Sequence, residues 1–110
     1  MKPDAEYRKL IETKGISLQS PGLTEFALGR DDAILAVDLL RSASIPILGG
    51  DVYFKKPTGI ELAYANWYSE PVAGESRDRF VIRSCLETRN CIENFPSAEA
   101  TPIFVFVIGL

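Results

Sequence analysis

Ile47-Leu48-Gly49-Gly50-Asp51-Val52-Tyr53-Phe54-Lys55-Lys56-Pro57-Thr58-Gly59-Ile60-Glu61-Leu62-Ala63-Tyr64-Ala65-Asn66-Trp67-Tyr68 is the run that decides the fold. Asp51 to Lys55 is dense in strand formers. Lys56-Pro57-Thr58-Gly59 places proline second and glycine fourth in a tight turn. Ile60 to Tyr68 then returns as a second strand. Alternation puts Ile60, Leu62, Tyr64, Asn66 and Tyr68 on one face and Glu61, Ala63, Ala65 and Trp67 on the other. With residues 57 and 58 at the tip, Tyr53 is expected opposite Leu62 and Asp51 opposite Tyr64.

Helical patterns flank this hairpin. Upstream, Asp31 or Asp32 is expected to cap a well-buried helix running to about Ala43, which Ser44-Ile45-Pro46 ends. Leu23 to Leu28 before it reads as a short strand or an extended lead-in, and Ile16 to Gly22 as a loop. A first short helix spans Asp4 to about Thr13, with Tyr7, Leu10 and Ile11 on one face. Downstream, Glu70-Pro71-Val72-Ala73-Gly74 breaks the strand. A long helix follows, from Gly74, Glu75 or Ser76 to about Asn94. Val81, Cys85, Thr88 and Ile92 form its buried row, with Ile82 and Leu86 beside them. After a loop over Ser97 to Pro102, Ile103 to Ile108 is apolar without alternation. That pattern predicts a central strand covered on both faces. The helix between two strands permits a right-handed crossover. The expected fold is one α+β domain over residues 1–110: a small mixed or antiparallel sheet, made of the hairpin plus a central C-terminal strand, packed with about three helices.

With 110 residues, 46% hydrophobic and 25% charged, the composition is that of an ordinary globular domain. A net charge of −3 argues against a nucleic-acid partner, which requires a basic excess. No apolar stretch after Met1 resembles an export signal, and none has the length of a membrane span. A cytoplasmic location is therefore expected. Cys85 and Cys91 lie about 9 Å apart along one predicted helix, too far for a disulfide. They read as small apolar or interfacial side chains.

Catalytic chemistry finds little to stand on. There is no histidine, which removes the commonest general base and metal ligand. Gly49-Gly50 lacks the Lys-Ser or Lys-Thr and the helix of a phosphate cradle. Asp31-Asp32 fits helix capping better than acid–base work. Arg77, Arg79 and Arg83 read as a solvated face paired with Asp78 and Glu87, with anion binding as the sharper alternative. No catalytic residue, metal ligand or cofactor is assigned, and a non-enzymatic binding role is expected.

Binding features are stronger. Asn66-Trp67-Tyr68-Ser69-Glu70 sets aromatics beside polar groups at a strand end, a composition common at interface hot spots. Tyr53, Tyr64 and Tyr68 share the predicted face of Asp51 and Asn66, which suits a basic partner. The exposed members of Asp51, Tyr53, Asn66, Trp67, Tyr68 and Glu70 are the expected partner surface. The bland alternatives are a core Trp67 and tyrosines lying under a helix.

Several stretches resemble a known family. Ile47-Leu48-Gly49-Gly50-Asp51-Val52-Tyr53 is similar to a motif of the bacterial immunity protein 40 family. Ala27-Leu28 followed by Asp32-Ala33-Ile34, then Trp67-Tyr68, Arg83-Ser84 and Cys91-Ile92-Glu93-Asn94-Phe95, resemble its other landmarks, from about Phe26 to Ile108. Cys91 and Phe95 depart somewhat from the last of these. The resemblance implies a cytosolic antidote in a polymorphic-toxin system, which binds a cognate toxin domain and protects the producing cell without catalysis. Two readings stand beside it. One is a small-ligand or regulatory binding module of an unrelated bacterial pathway, using a cleft between sheet and helices. The other is an enzyme built on carboxylates and arginines.

Overall fold

A computed structural model describes residues 3–18, 25–97 and 100–110. Its elements run α1 (Ala5–Lys14), β1 (Ile16–Ser17), β2 (Phe26–Gly29), α2 (Arg30–Ser42), β3 (Ile47–Lys56), β4 (Gly59–Tyr68), α3 (Arg77–Asn94) and β5 (Thr101–Ile108). The strands form one antiparallel sheet in the order β1-β2-β5-β3-β4. The α+β class, the hairpin and the central last strand all agree with the sequence pattern. β4 and β5 are each antiparallel to β3 and so run parallel to one another. α3 carries the chain from one to the other past β3.

Sheet and helices meet in one apolar core. Leu28, Val52 and Phe104 from the sheet pack with Val37 and Leu40 of α2 and with Val81, Cys85 and Ile92 of α3. Leu10 of α1 joins them, and Tyr7 stacks on Phe106 with ring centroids 6.4 Å apart. Polar groups at the seams are satisfied. The Arg30 guanidinium donates to the Ile92 carbonyl, and to the Phe95 carbonyl at 2.7 Å, filling orphan acceptors at the end of α3. Ser84 Oγ accepts the Ile47 amide at 3.1 Å.

The other sheet face is covered at one end only. Leu18, Ala27, Ile103 and Val105 are buried there, with Ile16, Tyr53 and Ile60 packed against them. Beyond Val105 the cover stops, and Val107 is 51% exposed. The expectation that β5 is covered on both faces therefore holds for Ile103 to Val105 and fails at Val107. A uniformly apolar strand hides the point where its cover ends.

Other boundaries differ for local reasons. Ile16–Ser17, expected as loop, pairs with Ala27 and Phe26. α2 begins at Arg30 with Gly29 as its N-cap and no side-chain cap, so Asp31 and Asp32 lie inside the first turn. There they favour the positive end of the helix dipole instead of capping it. Ser76 does cap α3, its Oγ accepting the Arg79 amide at 3.2 Å. Ile82 and Leu86 flank the buried row but remain 49% and 57% exposed. The parts of the expected loops and lead-in at residues 19–24 and 98–99 lie outside the described residues.

The hairpin register holds on the turn side, where Tyr53 faces Leu62 as expected. It shifts between Val52 and Tyr53. Val52 pairs with Ala65, so Ala63 and Tyr64 are extra, and Asp51 faces Asn66 instead of Tyr64. Tyr64 takes a left-handed backbone conformation, φ 54°, and is 91% exposed. Because the insertion is two residues, Asn66 and Tyr68 keep the face that alternation gives them.

Gly50 fixes how β4 lies on the core. A Cβ there would collide with the Val105 carbonyl and with the Trp67 ring, whose Cζ2 lies 2.7 Å from the Cβ position. Gly50→Ala is expected to destabilise the fold by about 2 kcal/mol through overpacking, lowering the urea midpoint at unchanged m-value. An unshifted midpoint would show that the ring and strand give way freely.

Candidate functional site

Trp67 sets the geometry of the site from the inside. Its ring crosses Gly50 on the helix face, opposite it in register. Nε1 donates to Thr88 Oγ1 of α3 at 2.9 Å, and the ring meets Phe104 and Phe106 edge-on with centroids 6.5 and 6.0 Å away. Trp67 thus packs its ring against the core from a half-buried position instead of standing out as an exposed aromatic. Its anchoring turns its neighbours Asn66 and Tyr68 onto the opposite, open face.

That face is unusually bare for a sheet interior. Gly49 stands between Tyr68 on β4 and Val107 on β5. A hollow of about 390 Å³ lies here, lined by Leu48, Gly49, Gly50, Asp51, Asn66, Trp67, Tyr68 and Val107. Tyr68 is 76% exposed and Leu62 is 52% exposed, and Asn66 is exposed beside half-buried Asp51. Tyr53 lies further along the same face, half-buried against the Leu18 cluster. Its phenol pKa is raised, first by burial and then by the Glu25 and Asp51 carboxylates. The tyrosines do not lie under a helix. The face joins aromatic and aliphatic surface to carboxylates, with Lys55 exposed near the hairpin turn.

The segment after β4 is held as firmly as the strand. Ser69 is buried, its amide bonds the Leu48 carbonyl at 2.9 Å, and its hydroxyl donates to Glu87 Oε2 at 2.8 Å. Arg83 then gathers the loop. Its Nε and one terminal nitrogen donate to both oxygens of Glu75 at 2.8 Å, and the other terminal nitrogen donates to Glu87 at 2.7 Å. It also reaches the Glu70 carbonyl at 2.6 Å and sits 5.4 Å from the centre of the Phe80 ring. Glu75 in turn accepts the Val72 amide at 3.2 Å. The Glu70 and Val72 side chains of this clamped loop are exposed.

The arginine reading of the sequence is therefore half right. Glu87, one turn along from Arg83, is a partner. Asp78 is not in the clamp, because five residues along a helix place two side chains about 140° apart. Glu75, from the preceding loop, takes that place. Neither Glu75 nor Thr88 announces its role in sequence, since each acts across elements. Val107 and Leu48 were likewise missed as members of the open face, on which alternation does place Leu62.

Among the described residues, no group of carboxylates and thiols is placed to hold a metal ion, and no buried side-chain nitrogen or oxygen lacks a partner. Cys85 is buried, with its thiol pKa raised chiefly by desolvation, and Cys91 is exposed. No described helix is long and apolar enough to cross a membrane.

The family model described as Immunity protein 40 matches residues 17–108, and the chain belongs to that family. This is the family the hairpin motif and its flanking landmarks point to. No curated protein and no solved structure matches the chain.

The clamp has a pH signature. Arg83 lowers the Glu75 pKa from 4.5 to about 2, chiefly through its hydrogen bonds. The folded value lies below the unfolded one, so this stabilisation is full above pH 4.5 and is lost as the pH falls toward 2. Glu75→Gln is expected to flatten that part of the stability–pH curve in chemical denaturation. A variant curve parallel to wild type through this range would refute the assignment.

Proposed function

We propose that this immunity-family chain binds and neutralises a cognate toxin domain in the cytoplasm, using the open face of β3, β4 and β5 and the clamped loop after β4. Neutralisation is by occlusion or distortion of the toxin and involves no catalysis by this chain. The observation that carries the reading is the open face itself, with Tyr68 and Val107 exposed around the Gly49 hollow. A protein surface of this kind offers an amphipathic aromatic, apolar contacts and carboxylates on one rigid platform. Its partner side is a basic, protruding surface that fills the hollow.

Of the residues singled out in sequence, Asn66, Tyr68 and Glu70 are the exposed contact candidates. Asp51 and Tyr53 are half-buried at the same face, and Trp67 is their internal support. Binding free energy is expected to concentrate at Tyr68, while the carboxylates act mainly on association rate and salt dependence.

The test is to identify a toxin domain encoded next to this chain, co-express the two, and measure co-purification and protection from its toxicity. Absence of both would end the reading. With the complex in hand, Tyr68→Ala is expected to weaken affinity by about 2 kcal/mol with an unchanged thermal midpoint. Trp67→Ala is expected to cost about 3 kcal/mol of folding stability, because it empties the core beside Gly50 and leaves Thr88 without its donor. Equal affinities for wild type and Tyr68→Ala would remove the open face from the interface.

A further inference from the structure

β4 is the last strand of the sheet, and no described strand pairs with its outer edge. The direction of its free main-chain groups follows from one hydrogen bond. The Ser69 amide donates to the Leu48 carbonyl, continuing the register in which Gly49 faces Tyr68. Antiparallel ladders alternate inward- and outward-facing main chains. Residues 65, 67 and 69 therefore bond to β3, and Asn66 and Tyr68 aim N–H and C=O outward. Beyond them the insertion at Ala63 and Tyr64 interrupts the edge. What remains is a short straight edge over residues 65–68, with neither proline nor charge to guard it.

An apolar slot lies beside this edge on the helix side. It has a volume of about 210 Å³ and is walled by Ala65, Trp67, Cys91, Phe95 and Pro96. Ala65 is too small to fill the space between β4 and the end of α3. On the opposite side the edge borders the open face, where Asp51 faces Asn66 in register.

We infer that the β4 edge at residues 65–68 receives an extended strand from the toxin domain, which adds to the sheet and places an apolar side chain in the slot. The inference rests on the toxin-binding reading and specifies its contact mode. Main-chain pairing with Asn66 and Tyr68 requires an extended segment. Alternation sends successive side chains of that segment to opposite faces. One enters the slot, and its neighbour lies on the open face beside Tyr68 and Asp51, where a basic or polar group fits. A second copy of this chain is a poor occupant. Its own β4 offers only Ala65 and Trp67 toward the slot side, and Trp67 is already committed to Thr88 and the core.

Residue-resolved amide exchange on the free protein and on its complex with the co-expressed toxin domain decides the matter. The Asn66 and Tyr68 amides are expected to slow at least tenfold in the complex, whereas those of Ala65 and Trp67 are already tied to β3. Asn66→Pro removes one outward donor without touching the β3 ladder, a substitution edge strands tolerate. It is expected to weaken binding about tenfold, against under threefold for Asn66→Ala. Ala65→Leu, filling the slot from within, is expected to weaken binding as well. A complex in which the Asn66 and Tyr68 amides exchange as in the free protein overturns edge addition while leaving toxin binding intact. So do equal effects of the two Asn66 variants. Protection of the same amides in a dimer of the free protein overturns the heterologous strand, and failure to form any complex overturns the toxin-binding reading as well. The amide measurement on wild-type protein stands even if Asn66→Pro does not fold.

Discussion

The Trp67 ring lying across Gly50 is the contact on which the remaining geometry depends. It ties the edge strand β4 simultaneously to β3, to the aromatic pair Phe104 and Phe106 on β5, and to Thr88 on α3. Each aromatic pair contributes about 0.5–1.5 kcal/mol beyond burial, and the indole hydrogen bond about 1 kcal/mol. The steric term is the more specific one, because any side chain at Gly50 would compete for the same space. The two adjacent glycines thus serve opposite faces. Gly50 admits the indole on the inside, and Gly49 lies between Tyr68 and Val107 beside the hollow on the outside.

The inserted pair at Ala63 and Tyr64 shows how strongly that anchor is enforced. A left-handed backbone at a residue with a full side chain costs about 1–2 kcal/mol, and Tyr64 recovers nothing by burial, being 91% exposed. The compensation comes from either side, from the tight turn and from Trp67. A one-residue insertion would have turned Asn66 and Tyr68 toward the helices and Trp67 toward solvent. Two residues absorb the mismatch and keep the pattern.

Much of this was legible in the sequence, for identifiable reasons. Period-two alternation gave the faces of β4, and period-3.6 spacing gave the buried row of α3. The turn chemistry of Lys56 to Gly59 fixed the register next to it, where Tyr53 meets Leu62. That register was lost at the insertion, since nothing in Ala63-Tyr64 marks a bulge when glycine is absent. Trp67 could not be assigned from alternation alone. Alternation says that it opposes Tyr68, not which of the two faces the helices cover. Long-range partners such as Glu75 for Arg83 and Thr88 for Trp67 are set by packing between elements, which local patterns do not encode. For the same reason the open face was only half visible. Its tyrosines stood out by composition, but Val107 was concealed within a uniformly apolar strand.

The division of labour between charge and packing at this surface follows from magnitudes. The Arg83 ion pairs are only partly sheltered, so their contribution to overall stability is modest. Their geometric effect is larger. By holding both oxygens of Glu75 and the Glu70 carbonyl, Arg83 fixes a loop that would otherwise lose conformational freedom on binding, a cost of about 1–2 kcal/mol per residue immobilised. The carboxylates on the open face act at longer range and are weakened by salt, which suits them to steering an approaching basic partner. They do not supply the close complementarity that keeps a complex together. In the proposed complex that part would fall to surface already preformed in the fold, namely the exposed Tyr68, the hollow beside Gly49 and the edge of β4 that no described strand pairs. Each exists because Trp67 has committed the other side of the strand to the core.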